Sequence, residues 1–343
     1  MDHDGTAPAG TRTRPVLSVL DLAMVGPDES VADGLAACVE TARLAERLGY
    51  HRIWYAEHHN MASIASSATA VLIAHVAAHT EHIRLGSGGI MLPNHSPLTI
   101  AEQFGTLASL HPGRIDLGLG RAPGTDQVTI RAMRRDPAAA ETFPRDVVEL
   151  LGYLSDESRV PGVEAIPGRG THVPVTILGS SLFGAELAAI LGLPFGFASH
   201  FAPQALEQAV ALYRSRFEPS VHLDAPRVIA GANIVAAPTS AEAHDEYERT
   251  KRARVKMFLS RRGHPIDDTQ LEALLESPQG RSIVDMMRHT GVGDPGEVST
   301  WIDAFAETVG ADELMLVFQG TTRAARRRSL ELTADARRLT SVG

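Results

Sequence analysis

The sequence is poor in cysteine and has no long hydrophobic segment. Its one cysteine, Cys38, cannot form an internal disulfide, and its apolar surroundings predict a buried structural thiol. No apolar stretch reaches the roughly 20 residues that cross a bilayer, and the N-terminal "MDHDGTAPAGTRTRP" lacks the apolar region of a signal peptide. These absences predict a cytoplasmic protein without a membrane partner, and they leave residues 1–14 as a disordered tail.

The sequence also has fewer basic than acidic residues. Asp and Glu number 41 against 32 for Lys and Arg, which gives a formal net charge of -9. This excess of negative charge disfavours binding to nucleic acid or to an anionic membrane surface, and it favours a small-molecule substrate. Hydrophobic residues make up 44% of the 343 positions, which is enough for the large core of a globular protein.

Short β-like runs alternate with longer helical patterns along most of the chain. The first strand begins at Pro15, the last is "ELMLVFQG", and eight such strands can be counted. The alternation predicts an α/β fold with a parallel sheet, and eight units favour a closed (β/α)8 TIM barrel over an open, doubly wound sheet. We therefore expect residues 15–343 to form a single domain whose active site lies at the carboxyl ends of the strands.

Two segments are longer than a plain barrel requires, residues 125–171 after the fourth strand and residues 238–293 after the seventh. Long excursions at the active-site rim are often lids or binding loops. The second segment contains the basic run "RTKRARVKMFLSRRGHPIDD", which fits either a solvated surface helix or a lid.

Glu57, His58 and His59 stand where the second strand ends. Histidine suits acid–base chemistry near neutral pH because its ordinary pKa is about 6.5. Neighbouring side chains on a strand point to opposite faces, so at most one of the two histidines should face the pocket, which argues against a metal site. Metalloprotease spacing is absent as well, and we predict no bound metal. Proton transfer and a purely structural role both remain open from these residues alone.

Glycines interrupt the third strand at its carboxyl end. Ser87, Gly88 and Gly89 lie in "GSGGIMLPNHSP", where side chains are missing from positions at which a strand should pack. Either a flat ligand approaches the backbone there, or the strand bulges at a corner of the barrel.

Two further features fit a phosphate. Arg121 follows the fourth strand in "GLGRAPGTD", which is not a dinucleotide fingerprint because Pro123 takes the place of the last glycine. Ser180 and Ser181 open a helix in "ILGSSLFGAEL", where free N–H groups attract an anion. A surface arginine and an ordinary serine cap would explain each feature separately. Together they favour a monophosphate, and with the glycines of the third strand they describe FMN lying across the barrel mouth.

From its first strand to its eighth, the chain resembles the bacterial luciferase-like flavin monooxygenases. The resemblance rests on "EHH", on the long and specific stretch "RLGSGGIMLPNHSPLTIAEQFGTLASLHPGRIDLGLGRAPGTD", and on "GSS" followed by "AAILGLPFGFASHF", all in the family order. It implies a TIM-like barrel that uses reduced FMN or, in a related branch, the deazaflavin F420. It also implies a homodimer formed through the early helices, and "ATAVLIAHVAAH" agrees because it is apolar around most of its circumference.

The same resemblance assigns roles by position. His58 matches the catalytic histidine, and the third-strand glycines match a segment where a non-proline cis peptide supports the flavin ring. The cofactor-binding residues that it implies are Glu57, His59, Ser87, Gly88, Gly89, Arg121, Ser180, Ser181 and Gly184. The sequence departs from luciferase itself at the serine pair and near Gly184. Gly120 also stands where luciferase has a reactive-face cysteine, so light emission is not implied.

The implied reaction uses reduced FMN supplied by a separate flavin reductase. Its reaction with O2 gives a flavin C4a-hydroperoxide, which oxygenates a small organic substrate, for example an aldehyde. Three alternatives stay open: an F420-dependent hydride-transfer enzyme on the same fold, a metal-dependent TIM-barrel hydrolase, and a non-catalytic flavin-binding protein.

Overall fold

Eight parallel strands close into a barrel in the computed structural model, which describes residues 14–260 and 266–340. The strands of these ranges are, in chain order, β1 Val16–Asp21, β2 Arg52–Tyr55, β3 Arg84–Met91, β4 Ile115–Gly120, β5 Val175–Gly179, β6 Phe195–Phe197, β7 Val228–Ala236, β8 Thr290–Gly293 and β9 Glu313–Phe318. Strands β1 to β7 pair in succession, and β9 joins β7 to β1. The predicted parallel TIM barrel is therefore confirmed.

The short strand β8 is an addition to the ring. It pairs with the carboxyl half of β7, from Asn233 opposite Thr290 to Ala236 opposite Gly293. The sequence-based count of eight missed it, because its four residues include two glycines and carry no strand-like alternation. It lies inside the segment 238–293 that the sequence predicts to be an insertion.

Helices follow the strands, and most of them cover the outside of the barrel. They are α1 Val31–Leu48, α2 Thr69–Ala77, α3 Pro97–Leu110, α4 Gln127–Ala132, α5 Phe143–Leu154, α6 Leu182–Ile190, α7 Leu206–Arg216, α8 Ser240–Leu259, α9 Asp268–Leu275, α10 Pro278–Asp285, α11 Pro295–Val309 and α12 Arg323–Arg337. The bounds of α1 follow from its caps. Ser30 and Asp33 form a reciprocal capping box at its start, and Gly49 ends it in the left-handed conformation with φ 83°.

Both long segments contain helices. Residues 125–171 contain α4 and α5, and α5 packs against α3 as an ordinary barrel helix. Residues 238–293 contain α8, α9, α10 and β8, and the basic run forms the second half of α8 up to Leu259. Residues 261–265 of that run and residues 1–13 of the predicted tail lie outside the described residues. A lid at this position stays a prediction.

The interior of the barrel is layered. At the amino ends of the strands, Arg52 donates to Asp116 (2.8 Å) and to Glu313 (3.2 Å), and the Ser18 hydroxyl donates to Glu313 (2.6 Å). Above this polar layer lies an apolar one formed by Leu20, Trp54, Ile229, Met315 and Val317. These two layers fill the lower barrel, and the carboxyl ends of the strands above them are where a barrel of this kind builds its site.

Most of the apolar surface of α2 is covered by the chain itself. Leu72, Ile73 and Val76 are buried, whereas Val71 is 70% exposed. Cys38 is buried as predicted. Within the two described ranges, no helix combines the length and apolar character needed to cross a bilayer.

Candidate active site

Glycines form the upper wall of the barrel interior on β3, β4 and β7. A Cβ atom on Gly88 would lie 2.8 Å from Leu20 Cδ1, and one on Gly118 would lie 2.3 Å from the Ser87 carbonyl oxygen. The Gly88–Gly89 peptide bond is cis, as the resemblance implied for this segment. The strand register also shifts between Ser87 and Ile90. Only glycine fits here, and the bare backbone leaves a flat surface beneath the barrel mouth.

Ser87 itself faces the protein. Its fully buried hydroxyl donates to the Gly118 carbonyl oxygen (2.9 Å) and accepts from the Gly118 amide (3.0 Å). These two bonds join β3 to β4 at the irregular point of the sheet. A ligand approaching this segment would therefore meet the backbone of Gly88 and Gly89 rather than the serine hydroxyl.

Glu57 organises the loop that follows β2. Its carboxylate is 1% exposed and accepts hydrogen bonds from His59 Nε2 (2.9 Å), His95 Nε2 (3.0 Å), Asn94 Nδ2 (3.1 Å) and the Met91 amide (2.9 Å). Burial alone would raise the pKa of Glu57, but the hydrogen bonds and charge of His95, together with the bonds from His59 and Asn94, outweigh it and lower that pKa. The sequence analysis missed Asn94 and His95, although both stand in the quoted "LPNHSP".

His58 and His59 both lie in the loop after β2, where the alternation of a strand does not apply, and their surroundings differ. His59 bonds to Glu57, whereas the partly buried His58 keeps a buried Nδ1 that has no hydrogen-bond partner within the described residues. Burial lowers the pKa of His58, so its imidazole is neutral at neutral pH. Of the two, His58 is the one whose Nδ1 is buried without a partner among the described residues.

His200, after β6, is a second histidine of this region that the sequence analysis missed. Its ring packs over β7, where a Cβ on Gly231 would lie 2.4 Å from His200 Nδ1. That nitrogen is also buried and lacks a partner among the described residues. The His200 carbonyl oxygen accepts a hydrogen bond from Asn233 Nδ2 (2.8 Å). The Oδ1 of Asn233 in turn accepts one from Gln319 Nε2 (2.7 Å). Burial, followed by the charges of Arg254 and His58, lowers the pKa of His200 to about 3.

Arg121 and the start of α6 meet at another part of the rim. The guanidinium carbon of Arg121 lies 4.0 Å from the centre of the Phe183 ring. Ser181 occupies the N-cap position, yet its side chain makes no capping hydrogen bond, so the ordinary serine cap considered above is wrong. Ser180 is exposed beside it, and Gly184 lets the helix approach β5, since its Cβ would lie 3.4 Å from Gly179 Cα. An exposed cation thus stands beside the unsatisfied N–H groups of a helix start.

No group of three or more His, Cys, Asp or Glu side chains in the described part of the chain is arranged to hold a metal ion. Glu57, His58 and His59 resemble a metal-binding group in the sequence. In the structure, the Glu57 carboxylate instead accepts hydrogen bonds from protein donors.

Comparison with known proteins agrees with this geometry. A family model described as "Luciferase-like monooxygenase" matches residues 16–313. The chain belongs to the luciferase-like monooxygenase family. A member from Escherichia coli (strain K12), named luciferase-like monooxygenase, is 45% identical over 322 residues, which cover 93% of this chain and 96% of that protein. The N-acetyl-S-alkylcysteine monooxygenase of Bacillus subtilis (strain 168) is 32% identical and covers 93% of this chain and 97% of its own length.

Solved structures of the family share the barrel. The crystal structure of apo-MsnO8 superposes with a TM-score of 0.85 at 35% identity and covers 95% of this chain and 99% of its own. More distant structures share the fold alone. One is the FMN complex of a type II Baeyer-Villiger monooxygenase component from Pseudomonas putida, with a TM-score of 0.71 at 16% identity over 94% of this chain and 97% of that one. Another is an F420-dependent reductase from Methanopyrus kandleri, with a TM-score of 0.66 at 18% identity over 94% of this chain and 98% of that one.

Proposed function

We propose that the protein is an FMN-dependent monooxygenase that uses reduced FMN and O2 to oxygenate a small organic substrate. The observation that carries the proposal is the pairing of two features at one rim. An exposed arginine beside a helix start suits a phosphate, and the glycine-lined backbone of β3 and β4 suits a flat ring. Relatives named as monooxygenases agree with this proposal.

The residues present fit FMN in both parts. Arg121 would hold the phosphate with the hydroxyls of Ser180 and Ser181 and the amide of Gly184. The cis peptide at Gly88 and Gly89 would lie against the ring. When bound, reduced FMN supplies the electrons that activate O2.

His58 is the proposed proton-transfer residue. Because burial lowers its pKa, the neutral ring can accept a proton at the unpartnered Nδ1 while the site works near neutral pH. Glu57, His59 and His95 position it by holding the loop after β2 against the loop after β3. The apolar barrel floor of Leu20 and Trp54 keeps water away from below.

The proposed partners follow from the same function. Reduced FMN would come from a separate flavin reductase in the cytoplasm. We also propose a homodimer through α2 and α3, which are neighbours and expose Val71 (70%) and Leu110 (64%).

Ligand binding tests the cofactor. Titration of the purified protein with reduced FMN, riboflavin and reduced F420 under anaerobic conditions should show preference for FMN. Addition of isotopically labelled O2 with a panel of aldehydes and thioethers should then yield a product that carries one labelled oxygen atom. Tight binding of F420 and hydride transfer without O2 consumption would instead identify a deazaflavin enzyme. Tight binding of FMN without any turnover would indicate a flavin-binding protein.

His58→Ala tests the residue. The variant should bind FMN within about tenfold of the wild type and lose oxygenation by roughly 100-fold, the usual range for a general acid or base. His82→Ala, which removes an exposed histidine remote from the mouth, is the matched control. Full activity of the His58 variant would remove this residue from the mechanism.

A further inference from the structure

Helix α8 crosses the mouth of the barrel. Toward its start, Glu246 accepts a hydrogen bond from the Thr321 hydroxyl (2.8 Å) in the loop after β9. Toward its end, Met257 Sδ lies 3.9 Å from the Ser63 hydroxyl in the loop after β2. The part of α8 between these two contacts therefore spans the opening above the glycine wall. Its inner face carries residues that follow Glu246 at intervals of four, Thr250 and Arg254.

Both of these residues carry buried polar atoms that nothing in the described residues satisfies. Thr250 is 6% exposed, and its Oγ1 has no hydrogen-bond partner. The Nε of Arg254 is buried and has none either. A buried donor without an acceptor costs about 1–3 kcal/mol, and more when the group is charged. The Thr250 hydroxyl and the Arg254 Nε therefore lack acceptors among the described residues, on the face of α8 that is turned toward the candidate active site.

Three other cations of the same helix are paired, and Lys256 is exposed to solvent. Arg249 reaches Glu246 (2.6 Å), Lys251 reaches Glu248 (2.6 Å), and Arg252 pairs with Glu272 on α9. Arg254 forms no ion pair with any described residue. Among the described residues, the positive charge of Arg254 thus lacks the counter-ion that Arg249, Lys251 and Arg252 have.

The surroundings of Arg254 join this charge to the candidate active site. Its field reaches His200 closely enough to lower the pKa of that histidine, after burial, and His200 interacts in the same way with His58. An aromatic ring lies beside each of Arg254 and His200. The Arg254 guanidinium lies 5.7 Å from the centre of the Phe258 ring, and Phe201 packs edge-on against His200 at 5.0 Å. An anion held here would have the apolar Phe258 ring beside it and would lie near His200.

We propose that Arg254 and Thr250 bind the carboxylate, or a similar oxyanion, of the substrate, so that the enzyme acts on small organic acids with an apolar body. The assignment rests on the proposed function and specifies its substrate class. It is separate from the proposed phosphate site, because Arg121 stands after β4 beside α6, whereas Arg254 faces the loops after β6 and β2. The oxyanion supplies acceptors for the Arg254 and Thr250 donors, and Phe201 and Phe258 contact the apolar body.

Calorimetric titration of the protein loaded with oxidised FMN tests the site without turnover. Hexanoate and hexanamide are the probes, since they share a carbon skeleton and differ in charge. The wild type should bind hexanoate about 10-fold to 100-fold more tightly than hexanamide, the range expected for one charge-assisted contact. Arg254→Gln should abolish that preference, Arg254→Lys should keep part of it, and Arg252→Gln, on the same helix, should leave it unchanged.

The outcomes separate this inference from the function beneath it. Equal binding of hexanoate and hexanamide by the wild type, or an undiminished preference in Arg254→Gln, would overturn the oxyanion site while FMN binding stands. If Arg254→Gln weakens FMN as strongly as Arg121→Ala does, Arg254 belongs to the cofactor and the inference is also wrong. Failure of the wild type to bind FMN would reject the proposed function. The hexanoate preference, measured without flavin, would then still report on Arg254.

Discussion

Acidification should destabilise this protein through His200 in particular. The ring is buried against β7, next to the positive charge of Arg254, and its pKa falls to about 3, whereas an exposed histidine has a pKa of about 6.5. The folded state therefore binds the proton less well than the unfolded state. The stability that neutral His200 preserves is fully present above the unfolded pKa and is lost as the pH falls below it.

The size of this loss follows from the two pKa values. At about pH 5 the unfolded histidine is almost fully protonated and the folded one is not, so the free energy of unfolding should fall by about 2 kcal/mol relative to about pH 7.5. The result depends little on the exact folded pKa, because the folded ring stays neutral at pH 5 for any value below about 4. A loss of that size is a large fraction of the stability of an ordinary domain.

Equilibrium unfolding in urea at both pH values would measure this loss. The wild type should lose about 2 kcal/mol more than His200→Gln, which cannot take up the proton. His244→Gln, which removes an exposed histidine from α8, should behave like the wild type. Equal losses in the wild type and His200→Gln would show that His200 titrates normally and that its burial has been misjudged.

Three further predictions concern the site and the assembly. Arg121→Ala should weaken FMN binding by about 10-fold to 100-fold and riboflavin binding little, because only FMN has a phosphate; equal weakening in fluorescence titrations would make the residue structural. Glu57→Gln should lower the free energy of unfolding by about 1.5–3 kcal/mol, since His59 and His95 lose an anionic acceptor; a neutral effect in urea would contradict its organising role. Val71→Glu should turn the proposed dimer into monomers in sedimentation, and a monomeric wild type at micromolar concentration would refute the dimer.

The barrel could be predicted because its determinants are local. Period-two runs, helical patterns and caps such as Ser30 and Gly49 lie within a few residues of one another, and eight repeats limit the topology. The strand β8 could not, because "TGVG" has no strand-like pattern and pairs only after β7 offers its free edge. Nothing in the sequence of β8 indicates that it pairs with β7.

The site shows the same division. The sequence singled out Glu57 and its two histidines, but β2 ends at Tyr55 and both histidines lie in the loop that follows, so strand alternation does not set their directions. It did not reveal that Glu57 is an acceptor for His95, since that contact joins the loops after β2 and β3 across 38 positions. His200 was missed for a similar reason, because its burial depends on Gly231, which stands on the next strand.

The basic run on α8 shows why a charge pattern alone does not locate a binding site. In the sequence its cations are equivalent, and a solvated helix or a lid explains them equally well. Folding separates them, since Arg249, Lys251 and Arg252 reach carboxylates while Arg254 reaches none among the described residues. This difference between the cations depends on the orientation of α8 across the mouth. The contact of Glu246 with Thr321, 75 positions away, helps to fix that orientation. The buried Nε of Arg254, which lacks an acceptor among the described residues, would be satisfied by an anion from elsewhere. At the mouth of an enzyme barrel, the molecule placed to bring that anion is the substrate.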